Sequence, residues 1–172
     1  KDVKNAGVVT ITITGTGNYS GETSCTYNIL QKDVTVTTET ASKVYDGTPL
    51  TAGGKVEGII EGETYEFVVT GSQTDKGSSN NTYTLTFAGE GNEWTAQADN
   101  YSVTASVGTL TVKEQTIVPG DDNEMQVIAP ENVTYNGKDQ KQAPVVKDGD
   151  RTLVENKDYT LSYSKDVKNA GV

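Results

Sequence analysis

The chain has 172 residues, a formal net charge of −10, no histidine and a single cysteine, Cys25. These absences exclude an intrachain disulfide, Ser-His-Asp or Cys-His catalysis and histidine-ligated zinc. The acidic balance, with Arg151 as the sole arginine, argues against nucleic acid, whose phosphates call for clustered cations, and against insertion into an anionic membrane.

The octapeptide KDVKNAGV occupies Lys1–Val8 and recurs at Lys165–Val172, a period of 164 residues. A repeated unit is best read first, because its meaning lies in its multiplication. After the octapeptide, Val9, Ile11 and Ile13 alternate with Thr10, Thr12 and Thr14, the two-residue period of a strand. Gly15-Thr16-Gly17-Asn18 breaks the pattern, and Cys25, Tyr27 and Ile29 then share one face, which predicts a hairpin. A second block, 32–113, carries Val34 and Val36, the turn Tyr45-Asp46-Gly47-Thr48-Pro49, and the alternating sets Tyr65/Phe67/Val69 and Tyr83/Leu85/Phe87. It closes with Tyr101, Val103, Ala105 and Val107, then Leu110 and Val112. The weak signal over Leu50–Glu63 leaves room for one short helix. Residues 114–126, with Pro119-Gly120 and an acidic run, read as a linker. A third block, 127–172, shows Val127, Val133 with Tyr135 ahead of Asn136-Gly137, Val145 with Val146, and alternation at Tyr159, Leu161 and Tyr163.

Openings and closings pair across the blocks. Val44-Tyr45-Asp46-Gly47 corresponds to Thr134-Tyr135-Asn136-Gly137, and Gly17-Asn18-Tyr19-Ser20 to Asp99-Asn100-Tyr101-Ser102. The segment 1–31 thus reads as the C-terminal half of a split module, and 127–172 as the N-terminal half of the next. The octapeptide marks a cut through a folded unit. With Asp158-Tyr159-Thr160 and Asn169-Ala170-Gly171, these motifs resemble the MBG (mostly beta grasp) and YDG-motif repeats of bacterial cell-surface proteins, over nearly the whole chain except the linker. That resemblance implies an extracellular β repeat from the stalk of an adhesin-like protein, at the cell surface or secreted, and carries no catalytic residues.

Each candidate chemistry has a plainer reading beside it. Cys25 shares a face with Tyr27 and Ile29 and reads as a small buried hydrophobe rather than a reactive thiol. Lysines and asparagines are abundant, but no pattern brings them into the buried constellation that a Lys–Asn isopeptide bond requires. Asp121, Asp122 and Glu124 lack the spacing of a calcium loop and suit a solvated linker. Trp94, beside the loop 89–92 and near Tyr101, offers a stacking surface for a sugar ring, although a lone Trp in a thin β protein more often packs in the core.

The expectation is therefore an all-β chain of two small modules, β-grasp-like or sandwich-like, in an elongated tandem array. Its expected role is that of a non-enzymatic stalk or spacer repeat without cofactor or metal. The alternative is an adhesive repeat that binds a host glycan or protein through Trp94 and Tyr101 and acts by avidity. The expected partners are neighbouring copies: 1–31 of one chain completes 127–172, in trans rather than in cis.

Overall fold

A computed structural model describes residues 3–87, 96–120 and 124–164. The chain divides into two compact units, Lys1–Gln115 and Thr116–Val172. Both are β structures, and the one helical piece among the described residues is a 3-10 turn at Ala98–Asn100.

Unit 1 opens with β1 (Gly7–Thr14) and β2 (Glu22–Ile29), paired antiparallel from Gly7↔Ile29 to Thr14↔Glu22. This is the hairpin that the alternation predicts. The rest of the unit is built on two interrupted strands: β3 (Lys32–Thr38) runs on into β4 (Ala41–Val44), and β9 (Tyr101–Ser106) runs on into β10 (Thr109–Lys113). β3 pairs parallel with β9, and β4 parallel with β10, so one ladder extends from Lys32↔Tyr101 to Val44↔Lys113 and crosses a shared bend. On either side of the bend a different strand joins. β5 (Gly54–Glu57) adds antiparallel to β3, and β7 (Gly77–Asn80) adds antiparallel to β10. β6 (Tyr65–Val69) and β8 (Tyr83–Phe87) form a separate antiparallel pair. Unit 1 is thus an all-β structure of several small sheets, two of them joined through the parallel pairs β3–β9 and β4–β10.

The core follows from the alternation. Val34, Val36, Leu110 and Val112 are buried. Val34 and Tyr101 pack with Ala96 beneath Val56, Ile59, Leu85 and Phe87, which sets β8 across the β5–β3–β9 sheet.

Three strands change sheets at one place: β3 to β4 at Glu39–Thr40, β9 to β10 at Val107–Gly108, and β7 to β8 at Asn81–Thr82. A bend frees backbone groups from their ladder, and buried ones must find other partners. Asn81, fully buried, supplies them. Its Nδ2 donates to the carbonyls of Glu39 (3.0 Å), Gly53 (3.2 Å) and Ala52 (3.4 Å), and its own N–H donates to the Gly108 carbonyl (2.8 Å). The hydroxyls of Thr38 and Thr40 accept the N–H groups of Gly108 and Thr109. At Gly108 a Cβ would lie 2.3 Å from the Glu39 carbonyl oxygen, so only glycine lets the two bends nest.

The stretch Leu50–Glu63 is not helical. It holds β5 between an isolated bridge, Leu50↔Gln73, and a turn. Glycines at 53, 54, 58 and 62 weigh against a helix, and Gly54 sits opposite Thr38 in the β3–β5 ladder, where a side chain would strike the Thr37 carbonyl.

Unit 2 is a three-stranded antiparallel sheet, β11 (Met125–Ile128), β12 (Val145–Asp148) and β13 (Arg151–Thr152), in that order. Met125 and Val146 are its buried apolar residues among those described. Arg151 Nη2 donates to Asp158 Oδ1 (3.2 Å), whose Oδ2 accepts the Val154 N–H and closes the turn after β13. The alternating segments around Val133 and at Tyr159–Tyr163 do not form strands, apart from a bridge between Glu155 and Tyr159. Alternation states which faces are apolar, but a strand also needs a neighbour for its backbone groups, and none of the described residues of the unit provides one.

Replacing Asn81 by Ala is expected to lower the stability of unit 1 by about 2–4 kcal/mol, since buried carbonyls lose their donor. Gly108→Ala is expected to be more damaging. Urea unfolding followed by far-ultraviolet circular dichroism measures both.

Candidate functional site

A polar joint lies where the β1–β2 hairpin meets the rest of unit 1. Two residues, Leu30 and Gln31, separate β2 from β3. Asn100, at the end of the 3-10 turn, accepts the Ala6 N–H on Oδ1 (2.7 Å) and donates through Nδ2 to Asn5 Oδ1 (2.9 Å). Gln31 Nε2 donates to the Asp99 carbonyl (3.1 Å). An amide side chain suits this position because it donates and accepts at once. Beside these contacts is a cleft of about 240 Å³, lined by Lys4, Ile29, Leu30, Ile60, Glu63 and Tyr101 among others.

Tyr101 forms the floor. Its ring is 5% exposed and stacks on Phe87 at 5.5 Å with an interplanar angle of 5°. Its hydroxyl donates to Glu63 Oε2 (2.5 Å) and accepts the Ile60 N–H (3.2 Å). Burial, then the Glu63 carboxylate beside it, pushes the phenol above its ordinary value of 10.0, so it is neutral at pH 7. The side chain is therefore a core anchor with its polar end tied down. Trp94, the other candidate for ligand stacking, lies outside the described residues, as do Asp121 and Asp122. Among the described residues no group of three or more His, Cys, Asp or Glu side chains is placed to hold a metal ion, and no helix is long and apolar enough to cross a membrane.

Cys25 departs from its expected burial. It is exposed, opposite Ile11 in the β1–β2 ladder. The expectation assumed that the apolar face of the hairpin is covered, whereas Ile11, Ile13 and Tyr27 are exposed with it.

The two Tyr-x-Gly motifs are turns with one chemistry. Asp46 Oδ1 accepts the Thr48 N–H (2.8 Å), the Thr48 hydroxyl (2.8 Å) and Lys43 Nζ (2.7 Å). Asn136 Oδ1 accepts the Lys138 N–H (3.0 Å) in the same i to i+2 sense. Both are Asx turns that end the segment before them. Sequence reasoning marked Asn100 and Asp46 as members of short motifs, yet not what their side chains hold. It placed a joint near Gln31 without saying what the side chain holds, and it gave no sign of Asn81, because a single Asn among many carries no periodic signal.

No protein-family model, no curated protein and no solved structure matches the chain.

Tyr101→Phe is expected to cost about 2 kcal/mol through loss of the hydroxyl's bonds, one of them to a carboxylate. Because the phenol is raised in the folded state, its contribution is full below pH 10 and is lost as pH rises through the shifted value. The Phe variant is expected to show less alkaline destabilisation in denaturant titrations at stepped pH. At Asp46 the sign is opposite: the Lys43 and Thr48 donors hold its carboxyl far below the ordinary 3.8. The Asp46–Thr48 turn is therefore expected to survive as pH falls through 3.8 and to loosen only in stronger acid, whereas Asp46→Asn abolishes that dependence. The Thr48 amide resonance reports it.

Proposed function

We propose that the chain is one period of a repeat from the stalk of an extracellular, adhesin-like bacterial protein, and that its task is to space and orient rather than to catalyse. The duplicated octapeptide supports the repeat. The observation that carries the spacer reading is the joint between β2 and β3: two connecting residues, with Asn100 and Gln31 binding backbone and side chain across it. A short connection held by directed hydrogen bonds fixes the angle between consecutive elements, and fixed angles between neighbours set the stiffness of a repeat array. The resemblance to MBG and YDG-motif repeats supports the same reading and its location at the cell surface.

The adhesive alternative makes a separate claim, that the repeats themselves hold a glycan or protein. A glycan array probed with the full chain is expected to show no reproducible binding; binding that disappears in Trp94→Ala would overturn the spacer reading.

Stiffness is tested directly. Spin labels on Cys25 and on Lys55→Cys, an exposed site on β5, are expected to give a narrow distance distribution in dilute solution. Adding Asn100→Ala and Gln31→Ala is expected to broaden it. A broad distribution in the unmodified joint would count against a spacer.

A further inference from the structure

An asparagine side chain can react with its own backbone where the nitrogen of the next residue reaches its Cγ, where that nitrogen is free of other bonds, and where water has access. A following glycine meets the first condition best, since it sets no Cβ beside the attacking nitrogen. The sequence has one such pair, Asn136-Gly137, and two Asp-Gly pairs able to close the same ring, Asp46-Gly47 and Asp148-Gly149. Their surroundings separate the three.

Asn136 and Gly137 are both exposed. Gly137 has φ +74°, and a Cβ there would meet nothing nearer than the Tyr135 hydroxyl at 3.9 Å. Asn136 Oδ1 accepts the Lys138 N–H (3.0 Å). That bond folds the side-chain amide back over the Gly137 nitrogen, which lies between the two bonded residues. It also aims a donor at the oxygen on which charge develops when Cγ is attacked. Among the described residues the Gly137 N–H has no hydrogen-bond partner, so its proton can leave without breaking an internal bond.

Each aspartate lacks one of these features. The Lys43 and Thr48 donors hold the Asp46 carboxyl far below the ordinary 3.8, and an ionised carboxylate is a poor target for a nucleophile. Asp148 lies in β12, opposite Met125 on one side and Arg151 on the other, and the Gly149 N–H is spent on the Glu124 carbonyl (3.1 Å).

We infer that the Tyr135-Asn136-Gly137 turn is a self-modification site, at which Asn136 deamidates through the backbone nitrogen of Gly137. Hydroxide takes the Gly137 amide proton, and the nitrogen attacks Asn136 Cγ. The Cγ–Nδ2 bond breaks, and the leaving nitrogen takes a proton from water and departs as ammonia, which regenerates the hydroxide and leaves a succinimide. Water then opens the ring. Attack at the side-chain carbonyl leaves an aspartate at position 136, and attack at the backbone carbonyl leaves an isoaspartate, whose main chain runs through Cβ and Cγ.

Either product adds a negative charge to unit 2. The aspartate gives the unit the Tyr-Asp-Gly turn of unit 1, but Val133 stands where Lys43 stands, so the new carboxylate has no lysine at that place to hold it. The isoaspartate lengthens the main chain and takes the acceptor away from Lys138, which opens the Asx turn. The reaction needs only this turn and water, and so it does not depend on the spacer reading.

The full chain is incubated in mildly alkaline buffer at physiological temperature, sampled over weeks, and digested for mass spectrometry with chromatographic separation of isomers. Peptides over Asn136 are expected to exchange the mass of NH for that of oxygen, to split into aspartate and isoaspartate peaks, and in heavy-oxygen water to take up the solvent's oxygen. The Asn136→Asp chain marks the aspartate peak. Gly137→Ala, which sets a methyl group beside the attacking nitrogen, is expected to slow the reaction about tenfold. That difference is expected to persist in guanidinium chloride, where it is independent of the variant's fold. The native chain is expected to react at least as fast as the unfolded one, because the folded turn already holds the amide over the nitrogen. Slower conversion of Asn136 in the native chain than in denaturant, earlier conversion of another asparagine, or an unchanged rate in Gly137→Ala would overturn the proposal.

Discussion

Unit 1 depends on one buried amide. Three strands turn from one sheet into another at a single point, and every turn strips backbone groups of their ladder partners. Asn81 stands at that point and gives its side-chain N–H groups to carbonyls of Glu39, Ala52 and Gly53, while its backbone N–H goes to Gly108. A hydrophobic residue there would fill the space and leave those carbonyls orphaned, at a cost that a core this thin has little means to offset. The nested glycine at 108 and the capping hydroxyls of Thr38 and Thr40 belong to the same solution.

From that point the division of labour along the chain becomes plain. Apolar alternation supplies the faces, and short polar side chains supply the bends, turns and joints. This is why a chain with only 33% hydrophobic residues can still order itself: much of its specificity is carried by Asn, Asp, Thr and Gly at places where the ladder is interrupted. Asn100 does at the hairpin joint what Asn81 does at the sheet bend, and Asp46 and Asn136 do the same at the two Asx turns.

The sequence revealed the faces and hid the partners. Val9, Ile11 and Ile13 against Cys25, Tyr27 and Ile29 announced the hairpin, and Val34, Tyr83, Leu85 and Val112 announced their strands, because a period of two survives in the one-dimensional record. The bends at 39–40, 81–82 and 107–108 left no trace, since a change of sheet preserves the alternation on each side of it. Leu50–Glu63 hid β5 because four residues between glycines are too short for a period to emerge. Cys25 and Tyr159–Tyr163 erred in a common direction: each was read as buried or strand-like from its own pattern, and pairing is a property of two segments. Tyr101 was singled out for an aromatic surface and is a core anchor, since the same ring serves either end and only its neighbour Phe87 decides.

The parallel ladder through the bend has a mechanical meaning. Lys32 and Lys113 lie at opposite ends of the paired strands β3–β4 and β9–β10. Tension that draws those two residues apart runs along the ladder, so its hydrogen bonds share the load in shear and do not open one after another from an end. The bend adds a second obstacle, because the strands must slide past a corner in which Gly108 is nested against Glu39 and pinned by Asn81. A fold with few buried side chains can in this way be weak against denaturant and strong against a pull.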